Sequence, residues 1–178
     1  MTEYFETFDA AGAPLGLVPR DEVHRRGLWH RSAHVFLFDA SGRLYLQRRA
    51  ADKDLYPDLW DYSIGEHLQP GESFLAGALR GLHEELGVEP IALTPIGDVR
   101  AGTYRCVRAN AIDRELQQAF RATYEGALQL DAAEVAEVRT VTLAELAHWL
   151  AREPAAFTPW LQRDVVELGI LKDQRSNT

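Results

Sequence analysis

GEHLQPGESFLAGALRGLHEELGV, running from Gly65 to Val88, changes period part-way along. It opens as a loop with a turn at Gln69-Pro70-Gly71. Glu72 then starts a helix whose apolar residues fall at Leu75, Ala78, Leu79, Leu82 and Leu86, and Gly87 is a natural C-terminal stop. At about 100° per residue the apolar stripe centres near Leu75 and Leu86. Glu84 then lies roughly opposite the stripe, with Glu85 about 100° from Glu84 and Arg80 one turn before it. The loop adds the Gly65 carbonyl, His67 and Glu72. Carboxylates gathered beside a loop carbonyl form the hard oxygen set that Mg²⁺ or Mn²⁺ selects. Taken alone, Arg80 and Glu84 would be an ordinary solvated i,i+4 pair and Glu85 a surface charge.

Outward from this segment, the N-terminal side reads as hairpins. Tyr4 to Phe8, the turn-bearing AAGAPLG, and Leu17-Val18 form the first. HVFLF (His34 to Phe38) and LYLQ (Leu44 to Gln47), joined by Asp39 to Gly42, form the second. Trp60 to Ile64 is a further strand, and Asp21 to Arg26 a short helical segment. On the C-terminal side, Ile91 to Tyr124 is strand-like, most clearly from Leu116, and Val135 to Val141 alternates as a strand. Thr142 caps a helix over Leu143 to Leu150 with Glu145 at the capping-box position. A last helix follows Thr158-Pro159. Hairpins followed by helices interleaved with strands predict an α/β fold with a mixed sheet.

The 178 residues suit one domain, expected over residues 1–172, with residues 173–178 as a frayed tail. A 46% hydrophobic content is enough for a core and argues against general disorder. No apolar run reaches the length of a membrane span, and the opening MTEYFETFDA lacks a signal-peptide layout. The single cysteine, Cys106, excludes an internal disulfide framework, is expected to be a structural thiol, and points to the cytoplasm. The net charge of −8 argues against nucleic-acid or anionic membrane partners. It also means that an anionic substrate would need a bound cation.

The quoted segment resembles the Nudix box, G-x5-E-x7-R-E-U-x-E-E-x-G-U, with U a bulky aliphatic residue. Glu72, Arg80, Leu82, Glu84, Glu85, Gly87 and Val88 match seven of the nine fixed positions. The resemblance implies a Nudix-type α/β/α sandwich and divalent-metal-dependent attack on a diphosphate. Two positions depart from the pattern. Glu66 stands at the first Gly, and Gly81 stands at the Glu that follows the box Arg, which deletes a carboxylate between Glu84 and Glu85.

The rest of the chain is similar to the branch of type-1 isopentenyl-diphosphate isomerase and its hydrolase relatives. The similarity runs through Leu15 to Asp61 and through AFTPWL at Ala156 to Leu161. It implies that His24, His30 and His67 match three metal-binding histidines of the isomerase, and that Asp113 and Glu115 in IDREL match its acidic pair. The isomerase's catalytic Cys falls at Gly65, which favours hydrolysis over isomerisation. The reading is therefore a hydrolase cleaving a small nucleotide-like or other diphosphate, with an isomerase-like enzyme or a non-catalytic diphosphate-binding module as alternatives. Glu84 and Glu115 are the expected catalytic residues. Glu72, Glu84, Glu85, His67 and the Gly65 carbonyl are expected to hold Mg²⁺ or Mn²⁺. Arg48, Arg49 and Lys53 are expected to bind substrate, with only one of the two arginines facing the cleft. The partner is a small-molecule diphosphate, and a homodimer is common among relatives of this kind.

Overall fold

The computed structural model describes residues 3–175. A mixed nine-stranded sheet forms its centre. Strands β1 (Tyr4–Phe8) and β2 (Pro14–Pro19) make the N-terminal hairpin, and helix α1 (Arg20–Arg26) follows. Strand β3 (Trp29–Phe38) is the spine of the sheet: it starts earlier than its apolar run indicates, because its first half carries polar residues that face a site. Strand β4 (Leu44–Arg49) follows, and the expected strand at Trp60 to Ile64 is split into β5 (Trp60–Asp61) and β6 (Ile64–His67). Helix α2 (Phe74–Leu86), the long hairpin β7 (Thr94–Cys106) and β8 (Ala111–Thr123), and strand β9 (Val135–Val141) come next. Helices α3 (Leu143–Arg152) and α4 (Pro159–Glu167) close the fold, and Ile170–Arg175 form a 3-10 segment. That segment takes in the first part of the expected tail; residues 176–178 lie outside the described ones.

Alternation along β3 divides the core. Val35 and Leu37 pack with Ala78, Leu82 and Leu86 of α2 on one face. Phe36 and Phe38 pack with Leu146 of α3 and Leu161 and Val165 of α4 on the other. Helices thus cover both faces of the sheet, which is the expected α/β/α sandwich.

Local signals set the helix ends. The Ser73 side chain accepts from the Ala76 N–H, so α2 begins just after Glu72 rather than on it. Gly87, at a φ of 64°, closes the helix while the N–H groups of Gly87 and Val88 return to the carbonyls of His83 and Leu82. The stripe is rotated from the wheel reading: Leu75 is exposed, whereas Gly77, Gly81 and Glu85 lie on the buried face. The two small residues let α2 approach β6 closely, and this turns Glu85 inward. Thr142 and Glu145 form the complete capping box on α3.

Candidate active site

Three elements converge where β3 lies between two neighbours. It runs parallel to β8, with His30 opposite Glu115, and antiparallel to β6, with Ser32 opposite His67. Period-two alternation puts Asp113 and Glu115 on one face of β8. Helix α1 supplies His24 from above. The ring centroids of His24, His30 and His67 lie 4.9–5.4 Å apart. Ligand atoms from these three histidines and Asp113 all fall within 4.8 Å of one another.

This cluster is largely buried, yet several of its polar atoms lack hydrogen-bond partners. Both ring nitrogens of His24, the Nε2 of His30 and the Oδ1 of Asp113 are orphaned. His30 Nε2 lies 3.3 Å from Asp113 Oδ1 without hydrogen-bond geometry. Its Nδ1 sits 3.1 Å from the Leu28 carbonyl, and donating there leaves Nε2 as a free lone pair. Buried orphans of this kind are costly, about 1–3 kcal/mol each. A divalent cation would satisfy them together, so the donor set fits a metal. Burial, reinforced by the charge of Arg20, holds the His67 pKa well below its usual value, which keeps the ring neutral as a ligand must be.

Glu115 sits beside this cluster and differs from it in electrostatics. Its Oε1 lies 3.2 Å from His67 Nε2, and its Oε2 accepts from the Gln117 amide at 2.6 Å. Burial opposes its charge, but His34 and His67 outweigh it and hold the carboxyl well below its usual range. His34 is itself fixed at 2.9 Å from the buried Asp164 of α4. Burial works against its protonation, yet Asp164 and Glu115 push its pKa up to about 9.

The cluster opens on a cavity of about 590 Å³. Gly65, His67, Glu84, Glu85, Glu115, Arg49 and Lys53 line it together, so most of the sequence-derived residues converge on one space. Arg48 turns away, with Nε 3.4 Å from Glu137, and only Arg49 of the two arginines faces in. The Arg49 guanidinium donates to the Leu55 carbonyl and lies 5.4 Å over the Trp160 ring. Lys53 pairs with Glu134 at the cavity wall. Glu72 is outside the lining. Arg80 grips it through two hydrogen bonds, of 3.0 and 2.9 Å, and also donates to the His67 carbonyl and to Glu84. Arg80 thereby pins the loop to the helix. Glu85 is almost fully buried, held by the Gln47 amide at 3.1 Å, and burial together with Glu66 pushes its pKa up to about 8.

Gly65 has no room for a side chain: a Cβ there would stand 2.7 Å from Tyr62 Cε2 and 3.3 Å from its hydroxyl. The buried Tyr62 ring occupies the space that a side chain at position 65 would enter. Cys106 is buried in the core on the α3–α4 face and does not line this cavity. At the cavity floor Asp61, fully buried, accepts from Trp160 Nε1, Thr158 Oγ1 and the Tyr62 N–H.

Residues 28–161 match the model of the NUDIX domain family. The chain belongs to the Nudix family. Its homologues include an isopentenyl-diphosphate Delta-isomerase of Nocardia farcinica, 42% identical over 92% of each chain. Nudix hydrolase 3 of Arabidopsis thaliana is 32% identical over 89% of this chain, which spans 22% of that longer protein. Among solved structures, DR0079 of Deinococcus radiodurans superposes with a TM-score of 0.70 at 21% identity, covering 93% of this chain and 99% of that one, and supports the Nudix fold.

Two groups in the cavity escape sequence spacing. Glu66 stands where the Nudix box has Gly, so the pattern gives no reason to select it, yet it lines the cavity. Asp61, Trp160 and Thr158 meet only through tertiary packing, because about a hundred residues of sequence separate Asp61 from the other two. The AFTPWL motif is the one signal that pointed to their end of the chain.

Proposed function

We propose that this protein is a divalent-metal-dependent Nudix hydrolase that cleaves the diphosphate bond of a small polar substrate. The reading is carried by the composition of one cavity: nine carboxylate side chains line it against four of Arg and Lys, and its only sizeable apolar surfaces are Leu55, Tyr62 and Trp160. A polyanion enters such a space only with a cation, and an isoprenoid tail finds little apolar wall in it.

His24, His30, His67 and Asp113 would hold one cation. Their imidazole-rich set suits Mn²⁺ or Zn²⁺, whereas the carboxylates Glu84 and Glu85, with the Gly65 carbonyl, suit Mg²⁺. When bound, the metal supplies charge neutralisation for the diphosphate and polarises water and phosphoryl oxygen. Lys53 and Arg49 orient the phosphates by charge-assisted hydrogen bonds. Glu115, kept ionised by His34 and His67, accepts the proton of the attacking water at its Oε1. Glu84, at the mouth, is the second proton acceptor within reach of solvent. A reducing cytoplasm suits the free thiol of Cys106. Among the described residues no helix is long and apolar enough to cross a membrane.

A second reading, isomerisation of isopentenyl diphosphate, is favoured by the intact histidine–aspartate cluster and by the 42% identical relative. Phosphorus NMR of the protein with Mn²⁺ or Mg²⁺, a nucleoside-diphosphate panel and isopentenyl diphosphate separates the two. Phosphate or nucleotide release supports hydrolysis. An allylic product with no release replaces the hydrolase by the isomerase.

A further inference from the structure

Resting on that reading, the geometry points to Glu66 as the carboxylate that replaces the one missing from α2: we infer that residues 66 and 81 have exchanged roles. The Nudix box has Gly on the strand and Glu on the helix; this chain has Glu on the strand and Gly on the helix. The exchange is steric as well as chemical. A Cβ on Gly81 would stand 2.8 Å from Ile64 Cγ2, 3.0 Å from Glu66 Cβ and 3.2 Å from Glu66 Oε2. The Glu66 side chain therefore lies over the helix at the point where a residue-81 side chain would emerge. A glycine on the buried side of a helix is unfavourable for the helix itself, so its presence calls for a packing reason, and Ile64 and Glu66 together supply it.

Glu66 is available for a ligand. Its Oε1 lies 3.3 Å from Arg80 NH1, but Arg80 is already engaged by Glu72 and Glu84, and Glu66 Oε2 has no partner among the described residues. Its neighbour Glu85 is nearly buried with a single amide partner and no ion pair among the described residues. Beside it, the Oε1 of Gln47 is a buried orphan. A buried carboxylate with no direct ion pair among the described residues, held by an amide whose own oxygen lacks a donor, is a place suited to a cation. Glu66 completes that place from the strand side and positions the diphosphate-bound cation against Glu85.

The test is a reciprocal exchange read by cation binding, with no turnover required. Mn²⁺ affinity is measured by electron paramagnetic resonance in the presence of methylenediphosphonate, a diphosphate that cannot be hydrolysed, for wild type, Glu66→Gln, Glu66→Gly, Gly81→Glu and the Glu66→Gly/Gly81→Glu double variant. Glu66→Gln keeps its melting temperature within about 2 °C, since only one partly exposed ion pair is lost, while its Mn²⁺ affinity falls at least ~10-fold. Gly81→Glu alone melts lower because of the clash. The double variant recovers affinity to within about 3-fold of wild type and regains only part of the melting temperature, because the Ile64 contact remains. Unchanged Mn²⁺ affinity in Glu66→Gln overturns the inference. So does a double variant that binds no better than Glu66→Gly. If the helix variants fail to fold, Glu66→Gln alone decides. Turnover is scored separately: the exchange pattern with no diphosphate cleaved would sink the hydrolase reading and leave Glu66 in place, whereas cleavage insensitive to Glu66→Gln would do the reverse.

Discussion

Loading the histidine–aspartate cluster with metal stabilises the protein, and the size of the effect follows from its orphaned atoms. Two nitrogens of His24, one of His30 and an oxygen of Asp113 are buried without partners. At about 1–3 kcal/mol each, the four groups together burden the metal-free fold by several kcal/mol, part of which water entry relieves. A cation present at a hundred times its dissociation constant adds about 2.7 kcal/mol of stability. For a domain of this size each kcal/mol moves the melting temperature by about 2–4 °C, so the expected rise is roughly 5–11 °C. The assay is differential scanning calorimetry of chelator-treated protein, alone and with Mn²⁺, Zn²⁺ or Mg²⁺. His30→Gln and His67→Gln should each abolish most of the rise while leaving a folded protein. A full rise in both variants, or no response of the wild type to any of the three ions, refutes the argument.

Other perturbations probe the surrounding scaffold. Gly65→Ala places a methyl against the Tyr62 ring and should cost about 1–3 kcal/mol in urea denaturation, a cost that should largely disappear when the same change is made in a Tyr62→Val background. Trp160→Phe removes the indole donor from the buried Asp61 and should cost about 1.5–3 kcal/mol, with an intact sheet by circular dichroism. In chelator-treated protein, His34 contributes pH-dependent stability, facing Asp164 of α4, Glu115 of β8 and the Tyr62 ring, with Arg100 behind Asp164. Its folded pKa of about 9 exceeds the unfolded 6.5, so the contribution is fully present below pH 6.5 and is lost as pH rises towards 9. The difference is on the order of 3 kcal/mol, and Asp164→Asn should flatten the stability profile over that window; an unchanged slope would count against the pair.

The legible parts of this chain are those governed by local rules. The period of the box helix, the cap at Thr142 and the alternation of Val135 to Val141 each depend on a few neighbouring residues, and each element forms as read. Leu75 fails for a physical reason: Gly77 and Gly81 let α2 settle on β6, and that turns the buried face away from Leu75 while Leu82 and Leu86 stay within it. The candidate site was legible where one motif carries several of the groups that line the cavity, as with Glu84, Glu85 and His67. It was not legible where groups meet across the sheet. His34 and Asp164 are separated by 130 residues, and nothing near either announces the other. Glu72 illustrates the reverse, since its box position is matched but Arg80 claims both its oxygens.

The parallel register between β3 and β8 also orders events during synthesis. The three imidazoles of the cluster belong to the first 67 residues, whereas Asp113 and Glu115 follow only after β7 and its turn have been made. Of this cluster's donors the growing chain therefore has only the nitrogens for the time needed to add forty-six residues, a few seconds at about 5–20 residues per second. During that interval its metal preference is that of an imidazole peptide, which favours softer ions than the finished centre does. The oxygen donors of the cluster arrive last, so an ion held there would be selected only once β8 docks against β3.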